Sequence, residues 1–268
     1  MLKITNLQKT FNAGTVNAKT ALKGFNLSIH EGDFVTVIGG NGAGKSTLLN
    51  AIAGVWKPDY GTVEIDGIDV TGMPEHKRAA FVGRVFQDPM KGTAPDMEIA
   101  ENLVIAERRG RKRKLVRGCT RRDREAYRVL LSELDLGLED RLSTKLGLLS
   151  GGQRQAVTLL MATLNRPKIL LLDEHTAALD PKTASKVLAI TNKLVTENRL
   201  TTIMITHNMN DAIKYGNRLI MMHEGRVVVD VSGEEKKKLT IDELLGLFEV
   251  ASGSEFADDQ VMLSKSNR

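Results

Sequence analysis

The segment from Gly39 to Thr47 has the residue types and the spacing of a phosphate-binding loop. It fits the pattern G-x-x-x-x-G-K-[ST] in full. Glycines let the backbone curl so that several N–H groups point at phosphate oxygens, and the lysine adds a positive charge. The sequence therefore predicts a nucleotide phosphate site built from Gly39, Asn41, Gly42, Ala43, Gly44, Lys45, Ser46 and Thr47.

The flanking sequence supplies the elements that such a loop needs. Residues 33–38 are a β-branched, apolar run that predicts a buried strand, and residues 46–53 predict a helix that leaves the loop. The N-terminus of a helix adds its dipole and its free N–H groups to an anion site. Because strand, loop and helix come in this order, a chance glycine-rich turn is the weaker interpretation. Lys45 is then expected to reach the β- and γ-phosphates, and the Ser46 hydroxyl to ligate Mg²⁺.

Strand-like and helical stretches alternate along the chain, which predicts an α/β fold. Strands are expected at residues 2–10, 21–29, 34–39, 62–65, 80–86, 168–173, 201–206, 219–223 and 226–231, the last two as a closing hairpin around Glu224 and Gly225. Apolar spacing becomes helical between Glu98 and Asn165, and a further helix is predicted over residues 181–197. We expect one domain over residues 1–250, with a core at 1–90 and 166–250, a helical lobe at about 91–165 and a disordered tail at 251–268.

Composition and charge weigh against several classes of protein. No apolar run approaches the roughly 20 residues that span a bilayer, and one cysteine, Cys119, allows no internal disulfide. The net charge of +5 is concentrated in a basic patch, residues 107–124, with ten lysines and arginines and two acidic residues. No aromatic residue interleaves these cations, so we expect no nucleic-acid binding. The patch is expected to contact anionic lipid headgroups or acidic groups on a partner, or to be a solvated loop.

Two further segments carry candidate chemistry. The sequence Leu149-Ser150-Gly151-Gly152-Gln153 precedes a helix that we predict over residues 156–165, and Ser150 can cap that helix. On its own, the segment from Leu149 to Gln153 indicates no more than a helix N-cap. The apolar run at 169–172 predicts a central strand that ends at Asp173 and Glu174. An acidic pair at a strand end is often a helix cap, but beside a phosphate loop it can hold hydrated Mg²⁺.

The segment Leu-Ser-Gly-Gly-Gln is the signature of the ATP-binding cassette (ABC) ATPases, and the chain resembles this family over roughly residues 1–245. The resemblance implies a P-loop NTPase (RecA-like) core, an N-terminal antiparallel β portion and an inserted helical lobe. It also implies that the chain hydrolyses ATP with Mg²⁺. In this family the signature, here Ser150, Gly151, Gly152 and Gln153, contacts an ATP that is bound to the phosphate loop of a second subunit.

The same resemblance assigns roles to single residues. Asp173 is expected to hold Mg²⁺, and Glu174 to be the general base that polarises the attacking water. Gln87, in Val-Phe-Gln-Asp-Pro, is expected to contact Mg²⁺ and water, and His207 to contact the γ-phosphate.

Two aromatic positions leave alternatives open. Phe11 matches the residue that stacks on adenine, although it could equally be a core phenylalanine. His175 stands where the family most often has proline, and it is either a feature of one branch or a group that titrates near the nucleotide.

The partners are also implied by the resemblance. We expect a head-to-tail homodimer around two ATP molecules and an integral membrane permease that docks at Glu98–Arg108. The chain would then be peripheral on the cytoplasmic face of the membrane. We favour an importer of a small solute such as an amino acid, served by an external substrate-binding protein. An exporter ATPase and a non-transport ABC ATPase remain open.

Overall fold

The computed structural model describes residues 1–110 and 118–252. The basic-patch residues 111–117 and the expected disordered tail beyond residue 252 lie outside the described residues. Contacts divide the chain into two compact units. The first unit combines residues 1–78 with residues 200–252, and the second unit contains residues 79–110 and 118–199. The lobe boundaries expected from the sequence stay a prediction.

The described strands and helices alternate along the chain. The strands are β1 (Leu2–Phe11), β2 (Lys19–Ile29), β3 (Phe34–Ile38), β4 (Tyr60–Ile65), β5 (Ile68–Asp69), β6 (Val82–Val85), β7 (Ile169–Asp173), β8 (Thr202–Ile205), β9 (Arg218–His223) and β10 (Arg226–Ser232). The helices are α1 (Lys45–Ala53), α2 (Glu75–Arg78), α3 (Ile99–Glu107), α4 (Arg121–Ser132), α5 (Gly151–Thr163), α6 (Pro181–Glu197), α7 (Met209–Lys214), α8 (Gly233–Lys238) and α9 (Ile241–Ser252). A 3₁₀ turn, Leu146–Leu148, precedes α5.

An antiparallel sheet forms the N-terminal part of the first unit. Its strands hydrogen-bond in the order β2-β1-β4-β5. Along β2, Phe25, Leu27 and Ile29 are buried while the residues between them are exposed. This alternation arises because successive side chains of a strand point to opposite faces, so one face of the sheet covers the core.

The first unit also contains a set of strands ordered β10-β9-β3-β8. Strand β3 pairs in parallel with both β8 and β9, and all five of its residues are buried. Strands β9 and β10 form the antiparallel hairpin around Glu224 and Gly225 that the sequence predicts. Helices α7 and α9 pack against these strands in a cluster that includes Ile38, Met209, Ala212, Leu219, Met221, Val229, Val231, Leu244 and Phe248.

The second unit pairs two parallel strands with a group of helices. Strand β6 pairs with β7 from Val82↔Ile169 to Val85↔Leu172, and helix α5 contacts β6, α3 and α6. The predicted start of α5 at residue 156 is wrong, because the helix begins at Gly151. Ser150 caps it directly: its Oγ accepts a bond from the Gln153 amide at 3.3 Å.

A buried cation closes the end of α1. Arg78 is 1% exposed and donates hydrogen bonds to the carbonyls of Ala51, Ile52, Thr71 and Met73. The carbonyls at the C-terminus of a helix have no partner within the helix, and a cation there also complements the helix dipole. Burial lowers the pKa of Arg78. The arginine thereby satisfies the end of the helix that follows the phosphate loop.

We predict that Arg78→Met lowers the free energy of unfolding by roughly 3 kcal/mol, because it leaves buried carbonyls without donors. Urea unfolding measures the change. The matched control is Arg128→Met, which removes a half-exposed surface pair with Glu125 and should cost at most about 0.5 kcal/mol. Equal losses in the two variants would show that Arg78 has no special role.

Candidate functional site

The phosphate loop lies in the first unit between β3 and α1, as the sequence predicts. Asn41, Gly42 and Ser46 are exposed, whereas Gly44 and Lys45 are buried. Gly44 precedes the first residue of α1 with a left-handed φ of 98°, and the first turn of the helix has no acidic residue. The loop therefore presents exposed residues at the positive end of a helix, which is the arrangement that binds phosphate.

Lys45 lies inside the loop that it is expected to serve. Its side chain is 5% exposed, and Nζ donates to the carbonyl oxygens of Gly39 at 2.6 Å and Gly40 at 3.0 Å. The ammonium group is therefore already held on the concave side of the loop, among backbone groups. A phosphate oxygen would be a stronger acceptor for it than a neutral carbonyl, because charge-assisted hydrogen bonds are roughly twice as strong as neutral ones.

Neighbouring strands of the first unit force glycine at two positions of the loop. At Gly39, with a φ of 149°, a Cβ would lie 2.2 Å from the carbonyl oxygen of Met222 in β9. At Gly44 a Cβ would lie 2.5 Å from the carbonyl oxygen of Ala21 in β2. The β9–β10 turn contributes as well, because the Gly225 amide donates to the Ala43 carbonyl at 2.9 Å. Both sheets of this unit therefore hold the loop in its curled form.

An aromatic pair marks the end of β1. Phe11 is 37% exposed, so it is not a core residue, and its ring meets the Trp56 ring edge to face at 6.0 Å. Lys9 Nζ lies 5.6 Å and 5.4 Å from the centroids of these two rings. Trp56 is not recognisable from the sequence as part of this pair, because a lone tryptophan after a helix has no characteristic spacing. The exposed Phe11 ring is available for stacking, and its predicted contact with adenine stays a prediction.

His207 also lies in the first unit, in the turn between β8 and α7. The Thr206 amide before it donates to the Val37 carbonyl of β3 at 3.2 Å, and Asn208 after it caps α7. The histidine is half-buried. It therefore follows the strand next to β3, the strand that leads into the phosphate loop.

The second unit brings three predicted residues to one edge. Because β6 and β7 are parallel neighbours, their carboxyl ends meet at the same edge. Gln87 follows β6 by two residues and is exposed, Asp173 ends β7, and Glu174 comes next with a left-handed φ of 47°. A carboxamide and two carboxylates at one strand edge can hold a hydrated cation and a water molecule.

Arg84 is a member of this edge that sequence analysis missed. Its Nη2 lies 3.2 Å from Asp173 Oδ2, both side chains are largely buried, and the guanidinium lies 4.4 Å from the Phe86 ring centroid. The pairing register places Arg84 beside Leu171 on the adjacent strand. Only this register, which the sequence does not give, would have indicated the ion pair. The carboxylate of Asp173 therefore has a cationic neighbour within its own unit.

The signature segment begins helix α5 in the second unit. Ser150 and Gln153 cap each other's backbone amides, and Ser150 and Gly151 are exposed. Gly152 has a packing role: a Cβ there would lie 2.1 Å from Thr183 Cγ2 of α6. Gln155 Nε2 donates to the Phe86 carbonyl at 3.3 Å, which joins α5 to the residue before Gln87. The signature helix and the Gln87 segment are therefore directly connected.

His175 is buried in the second unit. It is 2% exposed, and its Nε2 lies 2.9 Å from the Thr191 hydroxyl of α6. Burial lowers the pKa of His175 to about 4, so the imidazole is neutral at physiological pH. This burial weighs against the interpretation that His175 titrates near the nucleotide, and the imidazole instead makes a fixed contact with α6.

Comparisons with known proteins agree with this fold and site. The family model described as "ABC transporter" matches residues 22–177. The chain is 46% identical to the "Tyrosine transport ATP-binding protein" of Clostridioides difficile (strain R20291), across 94% of this chain and 100% of that protein. It is 36% identical to the "Lipoprotein-releasing system ATP-binding protein LolD" of Ruegeria sp. (strain TM1040), across 85% and 97% of the two chains.

Solved structures of ATP-binding cassettes are also similar to this chain. The dimeric post-hydrolysis structure of the cassette MJ0796 bound to ADP and Pi has a TM-score of 0.72 at 34% identity, covering 87% of this chain and 98% of that one. The protein MJ0796 comes from Methanocaldococcus jannaschii. The ADP conformation of the cassette MJ1267 has a TM-score of 0.75 at 28% identity, covering 92% and 98%.

These observations identify the class and then the family. Strand, glycine loop and helix define a P-loop NTPase, with the N-terminal antiparallel β portion that the resemblance implies. The chain belongs to the ABC transporter family as an ATP-binding subunit, an ATPase. The resemblance stated from the sequence is thus confirmed. Within the described residues, every helix is too short or too polar to span a lipid bilayer.

The contact between the loop and its own unit can be tested at Gly44. We predict that Gly44→Ala weakens binding of a fluorescent ATP analogue at least tenfold, because the new methyl group must displace either the loop or Ala21. The matched control is Gly14→Ala, which has a φ of 79° and no atom within 4 Å of the added Cβ. That control should lose about 1 kcal/mol of stability and retain normal nucleotide affinity.

Proposed function

We propose that this chain is the Mg²⁺-dependent ATP-hydrolysing subunit of an importer for a small solute of the amino-acid type. The observation that carries the hydrolytic part is the strand edge of the second unit, with Gln87, Asp173 and Glu174 at the carboxyl ends of β6 and β7. The observation that favours an amino-acid-type cargo is the 46% identity to a protein named for tyrosine transport, over 94% of this chain.

Each predicted residue then has one task in the proposal. The loop amides and Lys45 bind the phosphates, and Phe11 stacks on the adenine. Ser46 and Asp173 would hold Mg²⁺, which supplies charge neutralisation at the phosphates when bound. Glu174 accepts a proton from the attacking water, Gln87 helps to orient that water, and His207 contacts the γ-phosphate. These tasks are general base catalysis, positioning and electrostatic stabilisation.

The arrangement around Asp173 fits a divalent cation. Its carboxylate lies at the end of a buried strand, only partly exposed, where oxygen ligands hold Mg²⁺ together with phosphates and water. Arg84 neutralises that carboxylate in this structure. The ion pair with Arg84 limits the net negative charge that the largely buried Asp173 carboxylate adds to this edge.

A homodimer is the proposed working form. The dimeric structures of the cassette MJ0796 support it, and the signature of each subunit would complete the site on the other. The exposed Ser150 and Gly151 at the N-terminus of α5 suit that role, since a helix N-terminus attracts phosphate. Loss of the γ-phosphate would weaken the attraction between the two subunits, so hydrolysis would open the dimer.

A membrane permease is the proposed second partner, with an external substrate-binding protein delivering the cargo. The proposed docking face is α3 in the second unit, where Ile105 is 53% exposed. A cavity of about 300 Å³ lies beside it, lined by residues that include Arg84, Ile105, Arg109 and Met161. An exposed apolar side chain next to a cavity suits an inserted helix. Through the permease, the chain would be peripheral on the cytoplasmic face of the membrane.

We predict that Glu174→Gln traps ATP in a closed dimer, because the carboxamide keeps the shape of the side chain but cannot accept a proton. Steady-state ATPase activity should fall at least 100-fold, within the range that general acid–base catalysis supplies. Size-exclusion chromatography with Mg-ATP should show the dimer. A Glu174→Gln protein that stays monomeric and turns over normally would refute the assigned role of Glu174.

Uptake by cells tests the transport function. We predict that cells whose only copy carries Lys45→Ala accumulate at most one tenth of the labelled tyrosine that wild-type cells do, because the loop no longer holds the phosphates. The variant Ile105→Asp should lose uptake while the purified subunit keeps its ATPase activity, since the exposed Ile105 side chain has no proposed contact with the nucleotide.

The opposite result identifies the main rival function. If Lys45→Ala cells accumulate more label than wild-type cells, the chain powers export. The 36% identity to a protein named for a lipoprotein-releasing system is the reason to test for export. Unchanged uptake of tyrosine and of a panel of other amino acids would refute an amino-acid-type cargo.

A further inference from the structure

The turn after β7 holds Glu174 in an unusual backbone conformation. Its φ is 47°, in the left-handed region that non-glycine residues rarely adopt. Such a conformation is strained and persists only where the surrounding structure imposes it. The Ala177 amide donates to the Glu174 carbonyl at 3.0 Å, which closes the turn on one side. A second anchor for this turn comes from the residue that follows Glu174.

His175 supplies that anchor from within the second unit. It follows Glu174 directly, is 2% exposed, and lies 2.9 Å from the hydroxyl of Thr191, which is itself 1% exposed. The Thr191 hydroxyl donates its single hydrogen to the Val187 carbonyl at 2.9 Å. A hydroxyl carries one hydrogen, so Thr191 Oγ1 must accept the bond from His175 Nε2–H. Both groups are thereby satisfied and oriented.

We propose that the His175–Thr191 hydrogen bond is a positioning device for the Glu174 carboxylate. It ties the residue after the proposed general base to the middle of α6, a helix of 17 residues that packs against α5. A rotation of the turn would break this hydrogen bond and leave two buried polar groups without a partner, which opposes the rotation.

The proposal rests on the proposed role of Glu174, and a pair of threonine variants separates positioning from packing. Thr191→Val removes the acceptor and keeps the side-chain shape, whereas Thr191→Ser keeps the acceptor. We expect Thr191→Val to lower kcat of the purified subunit about 10- to 100-fold, in line with the cost of a misplacement near 1 Å. The KM for ATP should stay within about twofold, and Thr191→Ser should retain most of the wild-type kcat.

The matched control is Thr163→Val in helix α5. Thr163 is also a buried threonine of the second unit that donates to backbone carbonyls of its own helix, but it has no histidine partner among its hydrogen bonds. It should lose a similar amount of stability in urea unfolding without a change in kcat. If Thr191→Val and Thr163→Val have the same kcat, the positioning proposal is overturned.

A double-mutant cycle keeps the test valid should one variant fold poorly. His175→Phe keeps a ring and removes the donor, so it breaks the same bond from the other side. The double variant His175→Phe, Thr191→Val should lose no more kcat than the worse single variant, because the two changes remove one interaction. Additive losses in log kcat would contradict the proposed link.

The positioning proposal and the function of Glu174 fail in different ways. If the Glu174→Gln variant hydrolyses ATP as fast as the wild type, Glu174 is not the general base, whatever the kcat of the threonine variants. An inactive Glu174→Gln together with a wild-type kcat in Thr191→Val overturns the positioning alone. In the Glu174→Gln background, Thr191→Val should cause no further loss of kcat, since the carboxylate that it positions is already absent.

Discussion

The phosphate loop depends on close contact between backbones. At Gly39 and Gly44, carbonyl oxygens of β9 and β2 occupy the space that a Cβ would need. The strands therefore impose the curvature of the loop. Any residue with a Cβ at either position would clash with a backbone carbonyl oxygen. This constraint explains why the antiparallel sheet and the β9–β10 hairpin accompany the P-loop in the first unit. The same strands that cover the core also shape the site.

Buried cations complete the ends of helices in this fold. Arg78 binds the carbonyls at the end of α1, and Lys236 donates to the carbonyls of Ile213, Tyr215 and Gly216 at the end of α7. Both satisfy groups that a helix leaves without partners. Helix α1 follows the phosphate loop, and α7 follows the turn with His207. The C-terminal ends of α1 and α7 are thus stabilised by two side chains that have no proposed part in the chemistry of the site.

The local patterns were predictable from the sequence, and the long-range contacts were not. Residue types and spacing alone indicated the strand–loop–helix around Lys45, the β9–β10 hairpin and α6, because each rests on periodicity or turn chemistry. The predicted start of α5 was five residues too late, because Gly151 and Gly152, a residue type that disfavours helix interiors, lie in its first turn. Arg84 and Trp56 were missed, as their partners follow from strand register and packing. Helix α9 was not predicted either, although Leu244 and Phe248 bury it against the first unit.

The hydrogen bonds of Lys45 give one side chain two roles. Its ammonium group donates to the carbonyl oxygens of Gly39 and Gly40, and so stabilises the curl of the loop in which it lies. An ammonium group carries three N–H donors, so one lysine can contact both the loop and a phosphate. Replacing Lys45 therefore removes internal contacts of the loop as well as a positive charge for the phosphates. A loss of affinity in Lys45→Ala would combine both effects.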